Sequence, residues 1–207
     1  MARKAGRDGM TRPNAAFASE HRAPDLAAPV TVVDHILGAV QAPVTIVEYG
    51  DFECPNCKQA APAVKLLLER FAGRARLVFR HFPLEEVHPH ALHAALAAEA
   101  AGAQGKFWEM HDLLLENQQH LKLRQIRACA EKLEIDMERY DSEMGDELYL
   151  QRVREQIESG RNSGVRATPT FFVNGRVCDI SFGLPALMAR VEVTVENLYN
   201  KSYSYVI

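Results

Sequence analysis

The 207-residue sequence has no long apolar run, little net charge and few cysteines. No stretch approaches the roughly 20 apolar residues that a membrane-spanning helix needs, so we expect no membrane insertion. The net charge is −3, and lysine and arginine are scattered, which gives no indication of nucleic acid as a partner. Four cysteines are too few for a disulfide-stapled scaffold. With 47% hydrophobic and 25% charged residues, the composition is typical of a globular protein.

The first 28 residues show no hydrophobic periodicity, and we expect them to form a mobile N-terminal extension. Basic residues near the start are followed by no apolar segment long enough for a secretory signal. The sequence therefore predicts a cytoplasmic protein, with a periplasmic location as the alternative if a signal was removed before the numbering begins. A reducing compartment would favour a catalytic role for the cysteines.

The most informative motif is Cys54-Pro55-Asn56-Cys57, which follows the apolar run Val44–Val47. This order predicts a strand-to-helix junction with Cys54 at the N-terminus of the helix. Unpaired backbone N–H groups and the positive end of the helix dipole stabilise a thiolate there. Cys57, one turn further on, would attack a mixed disulfide formed at Cys54. The motif therefore predicts a redox-active dithiol whose first sulfur is accessible to solvent.

Other interpretations of the motif are weaker. A structural zinc site needs four ligands, but the remaining cysteines, Cys129 and Cys178, are far apart in the sequence. A structural disulfide across so short a loop would constrain the unfolded chain little. We expect Cys129 and Cys178 to be small buried hydrophobic residues, although a disulfide between them stays open. The histidines between residues 81 and 93 match no zinc-binding helix pattern, so no metal site is expected. His90 and His93 could share a helix face, and we expect them to be solvated or to cap a helix.

The periodicity in the first half of the chain predicts strands and one helix. The β-branched run Val30–Val33 indicates an edge strand, with a turn or a single helical turn at Asp34–Gly38 after it. Val44–Tyr49 is apolar throughout, as in a strand buried on both faces. A helix from Cys54 to about Gly73 and a strand at Arg76–Phe82 would complete a βαβ unit.

The second half begins with a change of character. From about Pro89 to Gly160, five amphipathic stripes predict consecutive helices, the last of them closed by Gly160. Two apolar runs then flank Asn174-Gly175, a dipeptide typical of a tight hairpin turn between Thr170–Val173 and Arg176–Ile180. A final helix is expected to begin near Pro185.

Several blocks of sequence, in this order, resemble DsbA-like thioredoxin-fold proteins. They are Val44–Cys57, Arg80–Leu84, His88-Pro89, Gly105–Trp108 and Gly164–Gly175. The similarity covers roughly residues 30–197, and a set of ordered blocks is far more specific than a lone Cys-x-x-Cys.

The resemblance implies an α/β thioredoxin fold, a central mixed sheet flanked by helices, with an inserted α-helical subdomain. Residues 29–84 and 165–200 would form a discontinuous thioredoxin-fold domain. Residues 85–164 would form the helical insertion, and residues 1–28 the extension.

The resemblance also implies a function and a site. The chain would exchange disulfides with protein or peptide thiols and with an unknown redox partner. It would need no cofactor, because the electrons reside on sulfur. Cys54 would be the nucleophile and Cys57 the resolving thiol. The substrate would lie against Pro55, Asn56, Thr168 and Pro169, with a cis peptide bond between the last two.

Two further positions matter for the chemistry. Glu48 lies six residues before Cys54, where thioredoxin-fold proteins commonly place a buried acid that exchanges protons with the second cysteine. The alternative is an outward-facing glutamate at the strand end that forms a salt bridge. Asn56 stands where the best-known oxidases of the family carry histidine. An amide stabilises a thiolate less than an imidazolium, so a weaker oxidant is expected.

Two rival functions remain. The chain could be a non-catalytic thioredoxin-fold module that binds a partner or chaperones unfolded chains. It could also be a small-molecule transferase of the kappa glutathione-transferase kind, but such enzymes use a hydroxyl nucleophile, and the intact cysteine motif argues against this.

Overall fold

The computed structural model describes residues 25–181 and 183–203. The expected mobile extension therefore lies outside the described residues except for 25–28. These residues contact the hairpin at residues 170–178: Leu26 N donates to Gly175 O at 2.8 Å, and Asp25 forms an isolated antiparallel β-bridge with Arg176.

A five-stranded mixed sheet forms the centre of the fold, in the order β1-β3-β2-β4-β5. Strands β2 and β3 are parallel, and the three other neighbouring pairs are antiparallel. Both β2 and β3 are buried along almost their whole length, which the apolar run Val44–Tyr49 predicts for β2. The strands are β1 His35–Gly38, β2 Val44–Gly50, β3 Ala75–His81, β4 Thr170–Val173 and β5 Arg176–Cys178.

Helix α1 joins the parallel strands β2 and β3, helices α2 to α6 lie between β3 and β4, and α7 follows the sheet. All five helices predicted between β3 and the hairpin are present, and the order of elements is that of the expected thioredoxin fold. The division into two domains stays a prediction. The helices are α1 Pro55–Arg70, α2 Ala91–Gly102, α3 Phe107–Glu116, α4 Leu123–Glu131, α5 Met137–Gly145, α6 Leu150–Asn162 and α7 Pro185–Tyr203, with a 3₁₀ turn at Gln118–His120.

The edge strand predicted at Val30–Val33 is wrong. Val32 is 98% exposed, and Thr31 N donates to Asp34 Oδ2 at 2.7 Å in a turn. The edge strand is instead β1, which pairs antiparallel with β3 so that His35 lies opposite Phe79. β-branched residues favour a strand only where a neighbouring strand supplies packing and hydrogen bonds.

The hairpin prediction is confirmed. Asn174 and Gly175 connect β4 and β5 with φ angles of 47° and 79°. Two consecutive positive φ angles are what a two-residue turn matching the twist of the strands requires. The turn is also tied to β2, because Asn174 Oδ1 accepts a hydrogen bond from Thr45 N at 2.7 Å.

The prediction that Gly160 closes a helix is wrong, because α6 continues to Asn162. A Cβ atom at Gly160 would lie 2.6 Å from the ring of Phe82 and 3.1 Å from the ring of Tyr49. The glycine therefore allows α6 to approach the sheet closely.

Arg80 fastens the segment before β1 to the sheet. Its guanidinium is 4% exposed and bonds to Asp34 through Nε at 2.8 Å. The Nη atoms donate to Ala28 O and Pro29 O, both at 2.9 Å, and to Tyr49 Oη at 3.2 Å. The paired carboxylate and the three oxygen acceptors compensate for the cost of removing the guanidinium charge from water.

Helices cover both faces of the sheet. On one face, α1 and α7 contribute Leu67 and Leu187 to a core with residues of β2 to β4. On the other face, α2 and α6 contribute Leu96 and Ile157. A third cluster, formed mainly by α2 to α5, includes both cysteines of the motif. The motif thus lies where the inserted helices meet the sheet.

Candidate active site

Cys54 occupies the N-cap position of α1, as the sequence predicts. Its backbone is extended, with φ −73° and ψ 119°, and its carbonyl accepts from Cys57 N at 3.1 Å and Lys58 N at 3.3 Å. Pro55 begins the helix, where its missing N–H costs no hydrogen bond. The thiol therefore sits at the end of the helix that favours a negative charge.

The environment of Cys54 stabilises its thiolate. The pKa of Cys54 is lowered from 9.0 to about 5, first by a hydrogen bond from the Cys57 side chain. Backbone N–H groups of Cys57 and Asn56 contribute, and burial opposes them. In the protonated form, Cys54 Sγ donates to Thr168 O at 3.1 Å.

Access to Cys54 is narrow. The residue is 5% exposed because the Thr168 carbonyl lies against its sulfur. The expectation of a solvent-accessible first thiol is therefore wrong, because Cys54 is buried. Beside it lies a groove of about 410 Å³, whose lining includes Asn56, Thr168, Pro169 and Leu184.

Cys57 is the opposite kind of thiol. It is 1% exposed, and its Sγ accepts a hydrogen bond from Asp51 N at 3.4 Å. Burial, the hydrogen bond to Cys54 and the nearby Glu48 all raise the pKa of Cys57 well above its usual range. The pair therefore combines one ionisable sulfur with one that keeps its proton.

Glu48 lies on β2 and is 4% exposed, so the alternative of an outward-facing glutamate is wrong. Burial, followed by the negative charge on Cys54, raises the pKa of Glu48 from 4.5 to about 8. A cavity of about 110 Å³ adjoins the side chain and is lined also by Leu77 and Trp108. The carboxyl group can therefore hold or release a proton close to neutral pH.

The Thr168–Pro169 peptide bond is cis. Thr168 is 5% exposed, and the loop reaches Cys54 because β4 pairs with β2, with Thr170 opposite Tyr49. Pro55 and Asn56 are exposed at the start of α1. Of the residues expected to contact substrate, Asn56, Thr168 and Pro169 line one groove.

Sequence reasoning missed Asp51, whose side chain is completely buried. Its Oδ1 accepts from Glu53 N at 2.8 Å. Its Oδ2 accepts from Leu84 N at 2.8 Å and contacts His88 Nδ1 at 2.7 Å. The carboxylate thereby fixes the loop before Cys54 against the connection that follows β3. The sequence signal that could have indicated this role is the position of an acidic residue between a buried strand and the cysteine motif.

His81 is 1% exposed, with Nε2 at 3.1 Å from Glu99 Oε1, whereas His90 occupies the N-cap position of α2. Glu99 also contacts His35 at 3.0 Å and Arg152 at 2.9 Å. These contacts join the sheet to α2 and α6. In residues 25–181 and 183–203, no group of three or more His, Cys, Asp or Glu side chains is arranged to hold a metal ion.

Cys129 and Cys178 are free thiols and both are buried. They belong to two different core clusters, so no disulfide joins them. Burial raises the pKa of each, which makes them less reactive. This matches the expected role of small hydrophobic residues.

The arrangement supports chemistry on sulfur. A thiolate at neutral pH lies beside a protonated thiol, and an acid with a pKa of about 8 lies close to both. These are the groups that thiol–disulfide exchange requires: an attacking sulfur, a second sulfur and a proton acceptor.

A family model described as Thioredoxin matches residues 30–189. The chain belongs to this thioredoxin family. Its fold is DsbA-like: it superposes on oxidised BdbD from Bacillus subtilis with a TM-score of 0.75 and 23% identity, covering 84% of this chain and 99% of that one. A thioredoxin-like oxidoreductase from Silicibacter pomeroyi gives a TM-score of 0.64 at 26% identity, covering 70% of this chain and 82% of that one.

This thioredoxin-family chain also matches part of longer proteins. It is 51% identical over 158 residues to Na(+)/H(+) antiporter NhaA 1 from Salinispora arenicola, covering 76% of this chain and 24% of that protein. The same name belongs to a Mycolicibacterium vanbaalenii relative, 42% identical over 144 residues, covering 69% of this chain and 23% of that protein. The chain thus spans about a quarter of the length of these curated relatives. No helix among its described residues has the length and apolarity to cross a bilayer.

Proposed function

We propose that this chain is a protein thiol–disulfide oxidoreductase that works through Cys54-Pro55-Asn56-Cys57. One observation carries the proposal: Cys54 lies at the N-terminus of α1 with its pKa lowered to about 5, directly beside Cys57. At neutral pH nearly all of such a thiol is ionised, and the thiolate is the form that attacks disulfides.

In the reducing direction, the Cys54 thiolate attacks one sulfur of a substrate disulfide. The Cys54–substrate S–S bond forms, the substrate S–S bond breaks, and the second substrate sulfur leaves as a thiolate. The Cys57 thiol then loses its proton to Glu48, and the resulting thiolate attacks Cys54 Sγ. The Cys54–Cys57 disulfide forms, the remaining substrate sulfur leaves as a thiolate, and two electrons have passed to the substrate. The oxidising direction is the reverse path.

Glu48 suits the second step because its pKa responds to the state of Cys54. The charge of the Cys54 thiolate is one cause of the raised pKa of Glu48. In the mixed disulfide Cys54 carries no charge, so the pKa of Glu48 falls and more of the carboxyl group is ionised when Cys57 must be deprotonated.

A substrate would bind as an extended segment against the loop at Thr168–Pro169. The Thr168 carbonyl accepts a hydrogen bond from the Cys54 thiol. A thiolate has no proton to donate, so ionisation of Cys54 frees this carbonyl for a substrate N–H, in the manner of strand addition. The groove along Asn56, Pro169 and Leu184 would hold neighbouring side chains.

We infer from Asn56 that the Cys54–Cys57 pair is a weak oxidant, which favours the reducing direction. An amide provides less stabilisation of the thiolate than an imidazolium, so the couple should lie on the reducing side of the strong DsbA oxidant at about −120 mV. A cytoplasmic location agrees with this, and export is the alternative. Residues 1–24, on which that choice depends, lie outside the described residues.

The test combines a titration with a turnover assay. Thiolate absorbance near 240 nm in the wild-type protein should titrate with a midpoint near pH 5. Cys54→Ser should abolish reduction of insulin disulfides, and Cys57→Ser should accumulate a mixed disulfide. Cys178→Ala, at a buried thiol of a different core cluster from the motif, should retain turnover. A midpoint near that of free cysteine, or turnover unaffected by Cys54→Ser, would favour the binding-module alternative.

We further propose that a membrane Na⁺/H⁺ antiporter is a partner of this chain. The supporting observation is the 51% identity to one quarter of a protein with that name. Cys57→Ser, with Cys54 first converted to a mixed disulfide with thionitrobenzoate, would be incubated with membranes containing such an antiporter and separated on a non-reducing gel. A thiol of the antiporter that attacks Cys54 Sγ forms a new disulfide and releases thionitrobenzoate. A Cys54-dependent covalent adduct with the antiporter is expected, and its absence, or an equal amount of adduct with Cys54→Ser, would contradict the partnership.

A further inference from the structure

Gln118 reaches from the helical insertion to the backbone around Cys54. It lies at the start of the 3₁₀ turn that follows α3, and its side chain is half-buried. Its Nε2 atom lies 2.9 Å from Phe52 O and 2.8 Å from Cys54 O. A side-chain amide has two N–H donors, and both are used here. With two carbonyl oxygens in contact, only the NH₂ group of the amide can face them.

The two carbonyl groups belong to Phe52 and Cys54, the residues on either side of Glu53. Cys54 O also accepts from the N–H groups of Cys57 and Lys58, so it starts the hydrogen-bond ladder of α1. A third donor on this oxygen fixes the plane of the peptide that carries the Cys54 Cα atom. The position of Cys54 Sγ relative to the helix N-terminus therefore depends on Gln118.

The loop is anchored separately on the side of the β3–α2 connection, where Asp51 binds Leu84 N and Glu53 Oε2 accepts from His90 N at 2.5 Å. Gln118 supplies the anchor from the insertion. A second hydrogen bond nearby, from Lys58 Nζ to Glu116 O at 3.0 Å, connects α1 to the end of α3. The redox loop is thus held between two segments that are remote in sequence.

We propose that Gln118 is a positioning residue, whose side-chain amide holds the peptide groups around Cys54 and thereby sets the reactivity of this thiol. The inference rests on the proposed redox function. The contacts that stabilise the Cys54 thiolate, from Cys57 and from backbone N–H groups, require the sulfur to stay in one place. Without the amide, Cys54 O loses a donor and the loop gains freedom, so the thiolate loses stabilisation.

The test compares substitutions at two adjacent glutamines, one that contacts the Cys54 carbonyl and one that is exposed. Gln118→Met keeps the length of the side chain and removes both donors, whereas Gln119→Ala changes the adjacent, exposed glutamine. We expect Gln118→Met to raise the pKa of Cys54 and to shift the equilibrium with glutathione roughly three- to tenfold toward a less oxidising couple. Gln119→Ala should match the wild type in both measurements. If Gln118→Met does not fold, Gln118→Leu serves instead, because it also removes both donors and adds no charge beside Cys54.

The outcomes separate this inference from the function on which it rests. A wild-type Cys54 with an ordinary pKa would overturn the proposed function and the role of Gln118 with it. A lowered wild-type pKa that the Gln118 variant leaves unchanged would overturn only the role of Gln118. Lower thermal stability of the variant, with an unchanged pKa and glutathione equilibrium, would make Gln118 a structural tie and would also contradict the inference.

Discussion

Replacement of Glu48 by glutamine should make the reduced protein more stable at neutral and alkaline pH. Glu48 is buried on β2, and its pKa is raised from 4.5 to about 8. A carboxyl group with a raised pKa binds its proton more tightly in the folded state. Stability is therefore complete below the pKa of the unfolded chain and is lost as the pH rises from 4.5 toward 8.

The size of the effect follows from the two pKa values of Glu48. Each pKa unit corresponds to about 1.4 kcal/mol, so full ionisation in the folded state costs about 5 kcal/mol. The cost already reaches about 3 kcal/mol at pH 7, where the unfolded chain is ionised and the folded chain is mostly protonated. Glutamine has nearly the same shape and no charge, so Glu48→Gln removes the pH-dependent cost.

The assay is urea unfolding of the reduced wild type and of Glu48→Gln across the pH range. The difference in free energy of unfolding should grow by about 3 kcal/mol from about pH 5 to about pH 8. Glu69→Gln, the same substitution at an exposed position of α1, serves as the control for the amide replacement itself. In the oxidised protein the Cys54 charge is absent, so the growth should be smaller. A flat difference for Glu48→Gln would refute the reasoning, because the carboxyl group would then titrate as in an unfolded chain.

Two further substitutions test the fold that carries the site. Gly160→Ala should destabilise the protein by about 1–3 kcal/mol in thermal unfolding, because the added methyl group overlaps an aromatic ring on the sheet. Gly145→Ala, at a helical position with open space, should be neutral or stabilising, and equal effects of the two changes would contradict the close approach of α6. Arg80→Met should cost about 3–5 kcal/mol in urea unfolding, because it leaves the Asp34 carboxylate buried without its cation. A loss below about 1 kcal/mol would show that this pair is effectively solvated.

Local patterns in the sequence predicted most elements of the fold. Asn174-Gly175 indicated the hairpin because few other dipeptides adopt two consecutive positive φ angles. The position of Cys54 at the start of α1 followed from a Cys-x-x-Cys motif directly after an apolar run. Val30–Val33 failed because strand propensity is a preference for a pleated, half-buried surface, and Val32 has no such surface to contact.

The missed parts of the site depend on contacts between remote segments. Gln118 contacts Cys54 across 64 positions and Asp51 contacts His88 across 37, so no window of sequence contains both partners. Gly160 was interpreted as a helix end because the sequence shows the missing side chain but not the ring of Phe82 that occupies its space. The burial of Glu48 could be proposed from the apolar strand around it, whereas its pKa depends on the folded surroundings.

The contact between Cys54 and Thr168 spans 114 positions of the chain. While the protein is being made, the motif leaves the ribosome long before its second half exists. Until the loop at residues 168–169 has been synthesised and docked, the Thr168 carbonyl is missing from the side of Cys54 Sγ on which it lies in the finished fold. The sulfur of a nascent or truncated chain is therefore more open to other molecules than the sulfur of the folded protein, and the late segment acts as its cover.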